Sequence, residues 1–169
     1  MNQRGLRLSL LSLGLFACAG SQAPAPVRGR APSFELPDQD GAMRTLEEFR
    51  GKVVVLYFYP KDATPGCTRE ACAFRDAWAR LEQAGVQVLG VSTDDVASHR
   101  AFADEHELPF PLLADTDGTV ARAYGVPIRM GMAARTTYLI DGNGVIRRVW
   151  EDVDPAVHVD EVLAAIAEL

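Results

Sequence analysis

Two of the chain's three cysteines, Cys67 and Cys72, stand five residues apart at the start of a helical pattern, where a thiol pair can do redox chemistry. The run Tyr57-Phe58-Tyr59-Pro60-Lys61-Asp62-Ala63-Thr64-Pro65-Gly66 before them leaves an apolar strand, crosses a Pro- and Gly-punctuated loop and enters the helix. Thr64 suits the N-cap and Pro65 the first helical position, where a missing N–H costs nothing. That register makes Cys67 the third helical residue. Free backbone N–H groups and the positive end of the helix dipole favour an anion there, and for a cysteine the anion is the reactive thiolate.

On an intact helix, residues five apart lie about 140° apart with Cα atoms about 8.6 Å distant. A disulfide wants Cα atoms within about 7 Å. The pair can therefore bond only if the first turns unwind, which suits a switching pair and not a static bridge. The plainer reading of Cys72 is a small core residue, as free cysteine often is. The capped loop ahead of the pair favours redox chemistry.

Pro60, Thr64 and Cys67 fit the Pro-x-x-x-Thr-x-x-Cys signature of peroxiredoxins. The longer run Tyr57-Phe58-Tyr59-Pro60-Lys61-Asp62-x-Thr64-Pro65-Gly66-Cys67-Thr68, with Cys72 behind it, resembles the Q-type branch, the bacterioferritin-comigratory-protein group. The resemblance covers roughly residues 32–169, including Ser98-His99-Arg100-Ala101-Phe102, Pro111–Asp115 and Tyr124-Gly125-Val126. The main departure is the short loop Pro127–Ala134, where relatives are expected to carry a longer segment.

The resemblance implies a thiol-dependent peroxidase acting on hydrogen peroxide and organic hydroperoxides. Cys67 would attack one peroxide oxygen and become a sulfenic acid, and Cys72 would resolve it as an intramolecular disulfide. Arg135 opens Arg-x-Thr-aromatic-Leu-Ile-Asp, similar to the family's arginine motif; its guanidinium would stabilise the thiolate and bind peroxide oxygens. Read alone, Arg135 would be a solvated surface charge. Thr64 would offer its hydroxyl to thiolate and peroxide, Pro60 would shield the pocket from water, and Glu70 would orient Arg135. A thioredoxin-like dithiol would return the electrons, and the protein would be a monomer without cofactor.

The elements that must position these residues follow from periodicity. Val53–Tyr59 is continuously apolar, the pattern of a strand covered on both faces. Ala71, Phe74, Trp78 and Leu81 make a core stripe on the following helix, which Gly85 stops. Val86–Ser92 is a second strand, and Asp94 or Asp95 caps a helix to about His106 with Val96, Phe102 and Ala103 inward. Phe110–Ala114 is short and apolar. Asp115-Thr116-Asp117-Gly118 has its glycine too early for a calcium loop and reads as a turn capping a helix at Thr119–Tyr124. Thr136–Ile140 and Val145–Glu151 form a hairpin. Pro155 opens a last helix burying Val159, Val162, Leu163, Ile166 and Leu169. Thr45–Gly51 is a short helical turn. Alternating strands and helices make an α/β fold with a mixed sheet, and the resemblance narrows it to the thioredoxin-like fold, a central mixed β-sheet flanked by helices.

At 169 residues the chain fits one domain. Its net charge of −6 argues against nucleic acid, and three cysteines are too few to staple a fold. His99, His106 and His158 are dispersed, read as lone surface histidines, and suggest no metal site. Arg4 and Arg7 precede an apolar run, Leu8–Ala17, too short to span a bilayer and readable as an export signal over residues 1–17. Leu15-Phe16-Ala17-Cys18 resembles a bacterial lipobox, which would make Cys18 a lipidated first residue on the periplasmic side of a membrane. Cleavage removes two cations and no acid, taking the net charge from −6 to −8. Residues 18–31, small and Pro-rich, read as a flexible tether, and the domain as 32–169. Two rivals remain: an exported thiol–disulfide oxidoreductase, which would want Cys-x-x-Cys, and a metal-delivering lipoprotein on the same scaffold.

Overall fold

The computed structural model describes residues 27–169; the expected export signal, Cys18 and most of the expected tether lie outside the described residues. Strands β1 (Glu35–Pro37) and β2 (Met43–Thr45) pair antiparallel, and a 3-10 turn at Leu46–Phe49 follows, closed by a capping box between Thr45 and Glu48. Then come β3 (Val53–Phe58), α1 (Pro65–Asp76), α2 (Trp78–Gln83), β4 (Val86–Ser92), α3 (Val96–His106), β5 (Leu112–Ala114) and α4 (Thr119–Ala123). A two-residue-per-strand hairpin, β6 (Ile128–Arg129) and β7 (Met132–Ala133), precedes β8 (Thr136–Ile140), β9 (Ile146–Glu151) and α5 (His158–Ile166).

The main sheet has the order β5-β4-β3-β8-β9, with β3 parallel to β4 and antiparallel to β8. It is the expected mixed sheet. Alternation along β3 divides the core, because successive side chains point to opposite faces. Val55, Tyr57 and Tyr59 meet α1, α2, α3 and α5 through Phe74, Leu81, Phe102 and Val162. Val54, Leu56 and Phe58 meet the amino-terminal strands and α4 through Phe34, Leu36, Val120 and Tyr124. Both faces are covered, which is why the strand reads as unbroken apolar sequence.

Gly90 in β4 is required by close approach, since a Cβ there would lie 2.8 Å from the Tyr57 hydroxyl and from Leu112. At the amino end the backbone joins the sheet before Pro32: Arg28 N–H donates to the Ile146 carbonyl (2.7 Å) and Ala31 N–H to that of Gly144 (2.9 Å). The Asp115 carboxylate is buried and accepts from Val120 and Ala121 N–H, so it caps α4 as the turn reading expects.

Several sequence expectations are corrected. The helix after Cys67 bends at Ala77, so Trp78 packs across Phe110 while Leu81 stays buried. On α3 the inward face carries His99 with Phe102 and Ala103, and Val96 is only half-buried. Asp95 provides the cap, accepting from Ser98 N–H at 2.8 Å. The last helix begins at His158, because Asp154 folds residues 154–157 into a turn first. It ends at Ile166 and leaves Leu169 exposed.

His99 and His158 are wholly buried and not on the surface. His158 sits between the rings of Phe74 and Trp150, its Nε2 2.8 Å from the Thr137 hydroxyl. Burial, partly opposed by Glu161, pushes its pKa down to about 4. An unfolded histidine titrates near 6.5, so between these values the unfolded chain binds the extra proton. His158 therefore contributes stability above pH 6.5 that is lost as the pH falls toward 4, by about 2–3 kcal/mol at pH 4.5. His158→Gln is expected to shrink the stability difference between pH 7 and pH 4.5 by that amount in urea titrations. An unchanged difference would count against a neutral buried ring.

Candidate active site

The site lies where β3 ends and β8 begins. Thr64 stands at the N-cap of α1 with extended backbone and Pro65 takes the first helical position, so Cys67 is the third helical residue as its spacing predicts. The Thr64 side chain gives no cap bond. Its hydroxyl donates instead to the Lys61 carbonyl at 2.9 Å and closes the loop it ends. Pro60, half-buried, begins that loop.

Cys67 is 2% exposed, and Arg135 Nη2 donates to its Sγ at 3.3 Å. Arg135 is no solvated surface charge: its Nη1 is ion-paired with Glu70 Oε2, one helical turn past Cys67 and wholly buried. Gly66 makes room, because a Cβ there would approach Arg135 Nη2 to 3.2 Å. One buried line thus runs from carboxylate through guanidinium to sulfur. Burial opposes the Arg135 cation, but Glu70 and Cys67 outweigh it and hold its pKa above the ordinary value. Burial raises the Glu70 pKa to about 7 against the pull of Arg135. Its second oxygen, Oε1, has no hydrogen-bond partner among the described residues.

Both cysteines are free; Cys67 is buried and Cys72 half-buried. The helix carrying them is continuous from Pro65 to Asp76, so they stand at helical spacing. Beyond Cys72, Phe74 stacks on Tyr57 with ring centroids 5.0 Å apart and is fully buried. Phe74 thus fastens the helix to the core just past Cys72.

Sequence reading missed a second buried group. Asp62, in the loop between Pro60 and Thr64, accepts from the Tyr59 hydroxyl (2.7 Å), the Ser98 hydroxyl (2.8 Å) and His99 Nδ1 (2.8 Å). Its own N–H donates to Asp94 (2.8 Å). Burial works against the Asp62 charge, yet His99 and Tyr59 hold its pKa below the usual carboxylate range. The network pins the loop to α3 and to the turn that leads into it. A sequence signal existed: His99 stands three residues before Phe102, on the face that α3 buries. Asp62→Ala would leave buried donors without an acceptor and is expected to cost on the order of 3 kcal/mol. Chemical denaturation checks this, and peroxide turnover is expected to slow with it, since the same loop leads into Cys67.

Residues 27–149 match the model of the AhpC/TSA family. A putative peroxiredoxin bcp of Coxiella burnetii is 50% identical over 144 residues, covering 81% of this chain and 95% of that protein, so the domain alone is almost a whole protein there. The chloroplastic peroxiredoxin Q of Populus jackii is 44% identical over 146 residues, covering 84% of this chain and 68% of that one. Among solved structures, peroxidoxin BcpB of Mycobacterium tuberculosis superposes with a TM-score of 0.80 at 36% identity, over 85% of this chain and 97% of its own. Peroxiredoxin Q of Xanthomonas campestris does so at 0.76 and 36%, over 80% and 90%. The fold, the buried thiol beside a guanidinium and these relatives agree: this chain belongs to the peroxiredoxins of the AhpC/TSA family, in the Q or bacterioferritin-comigratory-protein branch, and is a thiol-dependent peroxidase.

Proposed function

We propose that Cys67 is the attacking thiolate and Cys72 the thiol that resolves it. The observation that carries this reading is the Arg135 guanidinium 3.3 Å from a buried sulfur in the first turn of α1. The thiolate attacks one oxygen of a hydroperoxide. An S–O bond forms, the O–O bond breaks, and the departing alkoxide or hydroxide takes a proton to leave as alcohol or water. Cys67 is then a sulfenic acid. Arg135 donates to the negative charge as it passes from sulfur to oxygen, Glu70 aims Arg135, Thr64 adds a hydroxyl, and Pro60 keeps water out.

After the turns before Phe74 unwind, the Cys72 thiol attacks the sulfenic sulfur, an S–S bond forms and water leaves. A thioredoxin-type dithiol reduces the disulfide by exchange. Hydrogen peroxide and organic hydroperoxides are both substrates in this reading; the Xanthomonas campestris bacterioferritin comigratory protein, 35% identical, is described as reducing alkyl peroxides.

The test is intact mass after one equivalent of hydroperoxide. A loss of about 2 Da with a mapped Cys67–Cys72 bond is expected, and a product carrying one added oxygen with both sites otherwise intact would sink the resolving role.

The proposal extends to place. Residues 1–17 act as an export signal, Cys18 carries lipid, the residues between Cys18 and Arg28 serve as the tether of a domain whose pairing with the sheet starts at Arg28, and that domain works as a monomer on the periplasmic side of a membrane. The support is the charged, then short apolar, then small-Cys pattern of residues 4–18.

A further inference from the structure

Charge is unevenly distributed over the described residues. Arg28, Arg30, Arg50, Lys52, Arg147 and Arg148, all exposed, gather where β3 starts, β8 ends and the chain turns into β9. Arg30 and Arg50 line one groove with Asp141, and Arg28, Arg147 and Arg148 line a second that shares Asp141. Lys52 lies between Arg50 and Val53, which lines the second groove. Six of the fifteen Lys and Arg in residues 27–169 stand here with three carboxylate side chains, Glu47, Asp141 and Glu168, and nine stand elsewhere against twenty acids. Asp141 is already paired with Arg147.

This basic end is opposite the peroxidase site. Val54 pairs with Ile140 at one end of β3 and Phe58 with Thr136 at the other, where Pro60 and Arg135 follow. The six residues of β3 separate the ends by about 17 Å. At physiological ionic strength the screening length is about 8 Å, so a surface touching the basic end does not feel the acidic remainder. The chain also enters the fold here. Arg28 is hydrogen-bonded to Ile146, and the nine residues between it and Cys18 can reach about 35 Å at most.

We propose that this end of the domain docks on an anionic phospholipid surface and turns the Cys67 pocket away from it, toward peroxide and the dithiol donor. The purpose of the contact rests on the anchored, exported reading above; the contact itself needs no lipid on Cys18.

The domain from Ala19 on, without any acyl chain, is the protein to test. In co-sedimentation at low salt it is expected to bind vesicles of phosphatidylglycerol and phosphatidylcholine, to leave them in high salt, and to ignore pure phosphatidylcholine. Each of Arg28→Gln, Arg30→Gln, Arg50→Gln and Lys52→Gln is expected to weaken partition about fivefold. The combined variant should lose binding and keep peroxide turnover, whereas Arg80→Gln with Arg129→Gln, cations outside the patch, should bind as the parent does. The proposal is overturned if the domain stays free of anionic vesicles at low salt, binds neutral ones equally, or binds undiminished in the combined variant. The anchor reading fails separately, if the full chain takes up no labelled palmitate in a bacterial host, and that result leaves the vesicle outcome standing.

Discussion

With Cys67 replaced by serine, peroxide consumption is expected to fall to the rate of the reductant alone. A serine hydroxyl keeps the volume and the place beside Arg135, but it does not ionise at neutral pH and lacks the polarisable sulfur that attacks oxygen. The fold should survive, since one atom changes and the small side chain keeps its place in the core cluster. Cys72→Ser separates the two thiols. It should consume the first equivalent of peroxide at the parent rate and then stall with a thioredoxin-type reductant, leaving a sulfenic acid that dimedone traps. If Cys72→Ser turns over like the parent with that reductant, Cys72 is a core residue and the plainer reading was right.

Arg135→Met is expected to lower kcat/KM about 10²- to 10³-fold, the usual loss on removing one donor to a developing oxyanion. It should also cost up to about 3–5 kcal/mol of stability, because Glu70 loses its cation and must either stay a buried unpaired carboxylate or take up a proton. The two effects can be parted. Arg135→Met with Glu70→Leu removes the whole pair, so stability should return to near the parent value while activity stays low. Recovery of activity in the double variant would mean that Arg135 matters to folding and not to chemistry.

The pH dependence has a definite sign. The folded Glu70 carboxyl already binds its proton up to about pH 7, above its ordinary value of 4.5. Its protonation therefore favours the folded chain below pH 4.5, and that benefit is lost as the pH rises through 7. Without Arg135 the folded value rises further. The deficit of Arg135→Met should accordingly be larger at pH 8 than at pH 6.

The residues nearest one another in sequence were the most legible. Cys67 falls at the third helical position because Thr64 and Pro65 set the start of α1 by local rules, and the five-residue gap to Cys72 already implies that a disulfide must break the helix. β3 announces itself as doubly covered by its unbroken apolar run, and the β8–β9 hairpin by the turn at residues 141–144. The family motif supplied Arg135, whose chemistry no local rule reveals.

Long-range contacts outside the family motif stayed hidden, and the histidines show why. A lone polar residue on a helix is usually solvated, so His99 and His158 were expected at the surface; both are buried, because each finds a hydrogen-bond partner across the fold, Asp62 at 2.8 Å and Thr137 at 2.8 Å. Burial of a polar group is decided by its partner, and the partner is 37 residues away in one case and 21 in the other.

By itself, then, the sequence determined the thiol, its place at the start of a helix, and the succession of strand, loop and helix around it, since these depend on neighbours within a few residues. Tertiary structure alone decided that Glu70 and Arg135, 65 residues apart, meet beside Cys67, that Asp62 is locked under α3, and that six cations collect at the end of the sheet opposite the thiol. Those facts follow from the register of β3 against β8, which sets Phe58 opposite Thr136 and Val54 opposite Ile140. Register is fixed by which faces the whole core can bury, a property no short stretch of chain possesses.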